Sequence, residues 1–328
     1  MKRAGNLYWK IAEIENLELA FWKAQRGKSG KKEVKNFRSD LQNNLLKIRN
    51  ELLSCNVTLG NYHYFTIYDP KERVICAANF RERVIQHAVV NICEPYFEKY
   101  QIFDSFACRK NKGVDACLAR TQYFCSRFKW YIKFDVHKYF DSIDHKTLLN
   151  ILDRRFKDPQ LMNFFANLLD TYFVTPGRGL PIGNLLSQYF ANLYLAVMDH
   201  KLKEVFKVPG FVRYMDDFIL FSNDKSELIR MKGEVEKILC NDLKLELNPE
   251  LLNRTGFGIS FLSYRVLADK LRLTLKAKQR FCKKIKTANI LHSAEKALPL
   301  LAFIQRADSW GFRQKLFFKD FAPLARTV

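Results

Sequence analysis

The stretch RYMDDFILF (residues 213–221) decides the fold. Two adjacent aspartates, Asp216 and Asp217, lie between two short runs of apolar and aromatic residues, which predicts a tight β-hairpin with the acidic pair at its tip. Alone, such a pair is an ordinary polar turn, because aspartate is common in turns. Neighbouring carboxylates repel each other, however, so their place between two apolar strands favours a site that binds a cation.

A third aspartate strengthens this interpretation. Asp135 ends the apolar run WYIKFD (130–135), a predicted strand, and precedes Asp216 by 81 residues. Mg²⁺ prefers a few carboxylates, several waters and phosphate oxygens as ligands. Two such ions, about 4 Å apart, can activate an attacking 3′-hydroxyl and stabilise a leaving pyrophosphate. The three carboxylates therefore indicate phosphoryl transfer on a nucleic acid.

The charge of the chain also points to a polyanionic partner. Its 328 residues include 55 Lys and Arg against 34 Asp and Glu, a net charge of +21. Residues 1–50 carry +7 and residues 265–328 carry +11, whereas the residues between them carry only +3. With 48% hydrophobic and 14% aromatic residues the chain is not a disordered basic tail. We expect nucleic acid as the partner, with an anionic membrane surface as the second choice.

Cysteine use and hydropathy predict a cytoplasmic protein that does not enter a membrane. No two of the eight cysteines form a Cys-x-x-Cys pair, and reduced, buried thiols are expected. The N-terminal segment is interrupted by charges and does not resemble a signal peptide. No run approaches the roughly 18 apolar residues that a membrane-spanning helix requires.

The spacing of apolar residues predicts an α+β fold in which helices separate antiparallel hairpins. Helices are expected at 6–25, 33–54, 80–100, 114–127, 145–156, 159–171, 225–241 and in a segment that ends near 207. Strands are expected at 62–68, 73–77, 130–136, 211–215, 218–222, 243–247, 258–267 and 271–275. Asp144 precedes one of the helices and is expected to cap it.

An ordered series of motifs resembles the reverse transcriptases. Tyr214-Met215-Asp216-Asp217 matches their Tyr-x-Asp-Asp box, and FDVHKYFDSIDH (134–145) matches their first palm motif. The similarity continues in GLPIGNLLSQYFANLYL (179–195), KERVICAANFRERVIQHAVVN (71–91) and FLSYRV (261–266). Together these motifs cover roughly residues 60–270 in the order and spacing of that family, which is far more specific than any single motif.

The resemblance implies a right-hand polymerase fold with fingers, a ferredoxin-like palm and a small helical thumb. We expect a basic helical N-terminal extension at 1–58 and fingers at 59–130 with part of 145–180. The palm, with the YMDD hairpin, would span 131–268, and a basic thumb would span 269–328.

The resemblance also implies the catalytic groups. Asp135, Asp216 and Asp217 would hold two Mg²⁺ ions, for which Mn²⁺ could substitute, and the backbone carbonyl of Val136 would be a further ligand. Phe140 matches the aromatic gate that excludes a ribose 2′-hydroxyl. The alternative for Phe140 is a core position, since the chain has 28 phenylalanines.

Nucleotide and template contacts follow from the same matches. The residues expected at the incoming dNTP are Lys71, Arg73, Phe140, Ile182, Gly183 and Gln188. Those expected at the template and primer are Arg81, Arg109, Lys112, Ser187, Lys278, Lys283 and Lys284. The alternatives are solvated charges for Lys71 and the thumb lysines, an ion pair with Glu82 or Glu94 for Arg81, and helix capping for Ser187. Lys244 and Arg254 are the open candidates for a proton donor to pyrophosphate.

The segment IGNLLSQ (182–188) indicates which group of reverse transcriptases the chain resembles. Most reverse transcriptases, including group II intron enzymes and retrons, carry Gln-Gly where this chain has Ile182-Gly183. The pattern Ile-Gly-x-x-x-Ser-Gln resembles that of the reverse transcriptases of diversity-generating retroelements. In these bacterial and phage systems, the enzyme copies a template-repeat RNA with frequent errors at adenines. This implies template RNA, the cDNA–RNA hybrid, dNTPs and a basic pentameric accessory variability protein as partners. The alternatives are a retron-like or defence-associated reverse transcriptase and a non-catalytic RNA-binding scaffold.

Overall fold

The computed structural model describes residues 3–68, 72–287, 300 and 302–314. The α-helices of this part of the chain are α1 (Tyr8–Ile11), α2 (Ile14–Ala24), α3 (Lys32–Ser39), α4 (Leu41–Leu53), α5 (Phe80–Tyr100), α6 (Val114–Arg127), α7 (Tyr139–Ser142), α8 (His145–Asp153), α9 (Pro159–Asp170), α10 (Leu185–His200), α11 (Lys225–Lys237) and α12 (Leu275–Thr287). The strands are β1 (Tyr62–Ile67), β2 (Arg73–Ala78), β3 (Trp130–Asp135), β4 (Gly210–Tyr214), β5 (Asp217–Ser222), β6 (Leu251–Arg254), β7 (Ile259–Phe261), β8 (Tyr264–Val266) and β9 (Leu271–Leu273).

The described strands form three sheets. β1 and β2 are an antiparallel hairpin, and β7, β8 and β9 form a three-stranded sheet in that order. The central sheet has the order β4-β5-β3-β6, so the strand that ends in Asp135 lies beside the strand that begins with Asp217. The predicted hairpin at Asp216-Asp217 is confirmed, because β4 and β5 pair antiparallel from Gly210–Phe221 to Tyr214–Asp217.

Local side-chain chemistry explains where several helices begin. The side chain of Asn79 accepts a hydrogen bond from the Glu82 amide at the start of α5. Asp144 caps α8 by accepting from the Thr147 amide at 2.9 Å, which confirms the predicted cap. α9 begins with Pro159, whose fixed φ suits the first helical position.

The chain divides into two compact units. Unit 1 contains the described residues up to Phe103, with Asp135–Lys207 and Lys232–Pro249. In this unit α2 and α10 both pack on α5. α5 is well suited to this central place, because Val84, Ile85 and Ala88 are fully buried.

Unit 2 contains Asp104–Phe134, Val208–Met231 and the described residues from Glu250 onward. Its core joins α6, the central sheet, the β7–β9 sheet and α12. The buried side chains at its centre include Phe124, Tyr131, Phe221, Phe261 and Phe281. The predicted limits of fingers, palm and thumb stay predictions, because a division by packing does not mark those functional subdomains.

Two long predicted helices are each interrupted. The segment 6–25 forms α1 and α2, and Glu13 between them is extended at ψ 136°. The segment 33–54 forms α3 and α4, which are separated at Asp40 (φ −132°, ψ 49°). Apolar spacing alone does not reveal these breaks, since the apolar stripe continues across them.

Two strand predictions are wrong in detail. Residues 243–247 alternate like a strand, but Lys244 has a left-handed φ of +51°, and Leu247 makes only an isolated bridge to Val136. The strand of this region is β6, at Leu251–Arg254. The predicted single strand 258–267 is the hairpin β7–β8, whose turn uses Leu262 and Ser263 at positive φ. In the described part of the chain, no helix is both long and apolar enough to span a membrane.

Candidate active site

The turn between β4 and β5 presents the acidic pair. Tyr214 pairs with Asp217 across the hairpin, and Met215 adopts a left-handed φ of +58° at the turn. Arg213, whose side chain is fully buried, donates from Nη1 to the Met215 carbonyl at 3.0 Å. This hydrogen bond ties the turn to the interior of unit 2, so both aspartates project from a constrained backbone.

Lys133 supplies a positive charge at this turn. Its ammonium lies 3.1 Å from Asp217 Oδ2, and both side chains are about one-fifth exposed (22% and 23%). The same ammonium donates to the Ser260 carbonyl at 3.2 Å. An opposite charge at this distance favours the ionised carboxylate. The end of β3 and the start of β5 are therefore joined by an ion pair as well as by the sheet.

Asp135 is held within unit 1 by Asn248. The Asn248 amide nitrogen Nδ2 donates to Asp135 Oδ2 at 2.7 Å, and the Asn248 backbone N–H donates to the Asp135 carbonyl at 2.9 Å. Val136, which follows, is buried and pairs with Leu247. Asp135 is thus fixed at both its side chain and its backbone.

The predicted ligands are of the chemical type that magnesium prefers. Asp135, Asp216 and Asp217 are half-buried carboxylates, and the Val136 carbonyl is a further hard oxygen donor. Asp135 belongs to unit 1 and the other two to unit 2. Among the described residues, no three acidic, histidine or cysteine side chains form a ready-made metal cluster. The assignment of these residues as metal ligands stays a prediction.

The segment around Ile182 is bonded to the β1–β2 hairpin. The Ile182 carbonyl accepts from the Cys76 amide at 2.8 Å, and the Asn184 side chain accepts from the Ala78 amide at 3.0 Å. Gly183 has a φ of +115°, and a methyl group there would lie 2.8 Å from Ile75 Cγ2. Only glycine satisfies both the left-handed backbone and the close approach to β2.

Phe140 is linked by a backbone hydrogen bond to Leu180, just before the Ile182 segment. It is half-buried in the short helix α7, and its carbonyl accepts from the Leu180 amide at 2.7 Å. Its neighbour Tyr139 is buried and donates to the Ala191 carbonyl of α10. Thus Tyr139 is a core residue, whereas the adjacent Phe140 is partly exposed. Its role as a steric gate stays a prediction.

A family model described as reverse transcriptase (RNA-dependent DNA polymerase) matches residues 68–291. The chain belongs to the reverse transcriptase family. The match contains β3, the hairpin with Asp216 and Asp217, and the Ile182–Gly183 segment.

Relatives agree with this family, and a solved structure agrees with its fold. Protein YkfC of Escherichia coli is 24% identical over an alignment of 277 positions, and the match covers 69% of this chain and 71% of YkfC. The group II intron-encoded protein LtrA of Lactococcus lactis is 22% identical over an alignment of 266 positions, and the match covers 60% of this chain and 44% of LtrA. The apo telomerase of Candida tropicalis is similar in structure, with a TM-score of 0.52 and 11% identity over 68% of this chain and 50% of that one. The match thus covers less than half the length of LtrA. The family match and the similarity to the telomerase structure confirm the predicted polymerase fold.

The residues predicted at the dNTP lie in different elements of the structure. Arg73 is exposed at the start of β2, where it pairs with Ile67. Gln188 is half-buried in the first turn of α10. Lys71 lies outside the described residues. Their contact with a nucleotide stays a prediction.

The predicted template contacts of unit 1 have structural partners. Arg81 forms an ion pair with Glu51, rather than with Glu82 or Glu94, and donates to the Thr58 carbonyl at 3.0 Å. Ser187 is buried in the first turn of α10 but is not its cap, since Asn184 holds the N-cap position.

The predicted template contacts of unit 2 are basic side chains on a loop and a helix. Arg109 donates to the Ser105 carbonyl at 2.6 Å, and the Lys112 ammonium lies 4.9 Å from the centre of the Phe106 ring. On α12, Lys278 lies 5.6 Å from the centre of the Phe312 ring, while Lys283 and Lys284 are exposed. Their role at a template or primer stays a prediction.

Lys244, a candidate proton donor, has a structural partner. Its ammonium donates to Asp144 Oδ1 at 2.8 Å. Burial raises the pKa of Asp144, but the hydrogen bonds from Lys244 and Thr147 outweigh burial and hold that pKa at about 2. Arg254, the other candidate proton donor, lies 5.0 Å from the centre of the Trp130 ring.

Sequence reasoning did not find three side chains that hold the predicted catalytic groups: Arg213, Lys133 and Asn248. Arg213 and Lys133 are charged residues inside apolar strands, and that pattern is a usable signal of a buried or paired charge. Asn248 has a weaker signal, the Asn-Pro step, which marks an extended backbone without indicating a partner.

Proposed function

We propose that this chain is the reverse transcriptase of a diversity-generating retroelement, which copies a template-repeat RNA into cDNA with frequent errors at adenines. The cDNA would then replace a variable repeat in a target gene. Membership of the reverse transcriptase family supports the polymerase chemistry. The segment Ile182–Gln188 supports the finer assignment.

The observation that carries the finer assignment is the fixed place of Ile182. Its carbonyl is bound to Cys76 of β2, and Gly183 has no room for a side chain beside Ile75. By the sequence resemblance, residue 182 stands at the position where most members of the family carry glutamine. The isoleucine side chain packs but cannot donate or accept a hydrogen bond. Because wrong base pairs are rejected partly through polar groups left unsatisfied, losing such a group lowers fidelity.

The proposed chemistry assigns the carboxylates to metal binding. Asp135, Asp216 and Asp217 would hold two Mg²⁺ ions, with the Val136 carbonyl as a further ligand, and Mn²⁺ could substitute. When bound, the ions supply activation of the primer 3′-hydroxyl and stabilisation of the leaving pyrophosphate. The protein's own part is to keep the carboxylates in place, which Arg213 supports by fixing the turn.

Other side chains would bind the substrates. Arg73 and Lys71 would hold the triphosphate, and Phe140 would exclude a ribose 2′-hydroxyl. Gln188 and Ser187 would face the nucleotide and the template base. The lysines of α12 would track the phosphates of the hybrid duplex, which makes binding steeply dependent on salt.

The proposal includes a partner and a setting. A basic pentameric accessory protein would bind the enzyme, in the cytoplasm of a bacterium or as part of a phage-encoded system. The rival within the same class is a retron-like or defence-associated reverse transcriptase, which the Ile-Gly-x-x-x-Ser-Gln pattern disfavours. The rival from another class is a non-catalytic RNA-binding scaffold, which three intact aspartates disfavour.

Primer extension on an RNA template tests both levels of the proposal. The purified chain should extend a DNA primer with Mg²⁺ and dNTPs, and Asp216→Ala should abolish extension. Sequenced products should contain more errors opposite template adenine than opposite other bases. Ile182→Gln should lower the adenine error rate about fivefold, which corresponds to one net hydrogen bond of about 1 kcal/mol.

The matched control is Ile229→Gln, because Ile229 is an exposed isoleucine of α11 (54% exposed). This variant should keep the wild-type error rate. Equal error rates at adenine and at the other bases would contradict the assignment to a diversity-generating retroelement. The membership of the reverse transcriptase family would still hold. Full activity of Asp216→Ala would contradict the catalytic assignment itself.

A further inference from the structure

A β-bulge lies opposite the end of β3. Lys133 of β3 pairs with Leu251. Val136, which lies three residues further along the chain and just past β3, pairs with Leu247. Two residues separate these pairs on the β3 side, but three residues, 248–250, separate them on the opposite side. One extra residue is therefore present in the second segment. Bulges of this kind occur next to active sites, where they redirect a side chain.

Proline and two hydrogen bonds direct Asn248 toward Asp135. Pro249 has no N–H for a ladder and restricts the preceding residue to an extended backbone. The Asn248 backbone N–H then reaches the Asp135 carbonyl at 2.9 Å, and its Nδ2 reaches Asp135 Oδ2 at 2.7 Å. A single residue in the bulge thus contacts both the backbone and the carboxylate of Asp135.

His137 fixes the orientation of the Asn248 amide. Asn248 Oδ1 lies 3.0 Å from His137 Nδ1. An amide oxygen only accepts, so His137 Nδ1 carries the hydrogen and donates it. The His137 backbone N–H donates to the Glu246 carbonyl at 2.8 Å, which anchors the histidine to the same segment. The amide is therefore bound at both ends only when Nδ2 faces Asp135.

We propose that Asn248 is a positioning residue for the carboxylate of Asp135 and that His137 acts through Asn248. This inference rests on the proposed polymerase function, in which Asp135 binds a metal ion. With Oδ2 held by Asn248, rotation of the carboxylate is restricted, and Asp135 would keep one orientation when it holds a metal ion. Loss of a side chain that orients a metal ligand typically costs about 10- to 100-fold in metal affinity or activity.

The test is the dissociation constant for Mg²⁺ of Asn248→Ala, measured by calorimetry without primer or nucleotide, together with the magnesium dependence of primer extension. The dissociation constant and the Mg²⁺ concentration for half-maximal rate should both rise about tenfold, because the carboxylate is no longer oriented. The KM for dNTP should stay at the wild-type value, since Asn248 does not contact the nucleotide in this proposal. A general loss of folding would lower the rate at every Mg²⁺ concentration without this split. Asn253→Ala is the matched control, because the Asn253 side chain accepts from the Arg254 amide on β6.

A double-mutant cycle tests the part played by His137. His137→Ala should shift the Mg²⁺ dependence in the same direction but less. Adding it to Asn248→Ala should cause no further shift, because residues that act through one another are not additive. His137 is exposed, so His137→Ala also decides the question if Asn248→Ala fails to fold.

The outcomes separate this inference from the proposed function. A wild-type chain without extension, or an Asp135→Ala variant with full activity, contradicts the polymerase assignment. The proposed function requires an active wild type and an inactive Asp135→Ala variant. If both hold, an unchanged Mg²⁺ dependence in Asn248→Ala overturns the positioning role alone. If Asn248→Ala does not fold, an unchanged Mg²⁺ dependence in His137→Ala overturns it.

Discussion

The Lys133 ammonium lies 3.1 Å from Asp217 Oδ2, so a side chain of β3 neutralises a carboxylate of the β4–β5 turn. In the proposed function, a metal ion at Asp217 would compete with this ammonium. Lys133→Met should therefore lower the Mg²⁺ concentration for half-maximal extension about threefold, within the range of about 0.2–1 kcal/mol for a partly exposed ion pair. A titration of extension rate against Mg²⁺ measures the change.

Lys129→Met is the control for this lysine. Lys129 is exposed, just before β3, and its backbone N–H binds Asn223. Its loss removes the same charge from unit 2 without changing the turn. An equal decrease in both variants would mean that overall charge, rather than the pair with Asp217, sets the metal dependence.

Arg213→Met should destabilise the protein and lower its activity. The Arg213 side chain is fully buried and donates to the Met215 carbonyl at 3.0 Å, where the turn has a positive φ. Loss of a hydrogen bond from a charged donor should reduce the free energy of unfolding by about 1.5–3 kcal/mol. Urea denaturation measures the stability, and primer extension measures the activity.

Arg120→Met provides the comparison. Arg120 is a partly buried arginine of the same unit, and its Nε binds Asp104 Oδ1 at 2.7 Å. This variant should lose stability but keep its extension rate once corrected for the folded fraction. The same corrected rate in Arg213→Met would show that Arg213 stabilises the fold without orienting the turn.

The hairpin of Asp216 and Asp217 could be predicted because its pattern is local. Two apolar β-forming runs and a polar pair suffice to predict it. The turn at Leu262 and Ser263 could not be predicted, since neither residue is of the type that usually adopts positive φ. The contact between Asn248 and Asp135 joins residues 113 positions apart, and no local pattern encodes such a pairing. The residue types of the candidate site are thus readable in sequence, whereas the groups that hold them require tertiary structure.

Gly183→Ala should be more destabilising than an ordinary glycine substitution. A methyl group there meets Ile75 Cγ2 at 2.8 Å and also forces alanine to a φ of +115°. Strained backbone and overpacking each cost about 1–3 kcal/mol, so β2 and the Ile182 segment should separate. Thermal unfolding measures the stability, and the KM for dNTP reports the displaced segment.

Gly177→Ala separates the two causes. Gly177 has a φ of +73°, and a methyl group there would meet no atom within 4 Å. This variant has the strain without the clash and should cost less stability, with no change in KM. Equal losses in both variants would contradict a role for the contact with β2.

The partly buried His87 should make stability fall as the pH falls. Burial, followed by the nearby charges of Arg83, Lys23 and Lys28, lowers the pKa of His87 to about 4. Between the ordinary value of about 6.5 and this lowered value, the unfolded chain binds a proton that the folded protein does not. The free energy of unfolding therefore decreases from about pH 6.5 to about pH 4 through this group. His87→Gln should show a smaller decrease in urea midpoint over that range than the wild type, whereas His63→Gln, which changes an exposed histidine of β1, should match the wild type. A wild-type slope in His87→Gln would assign the pH dependence to other groups.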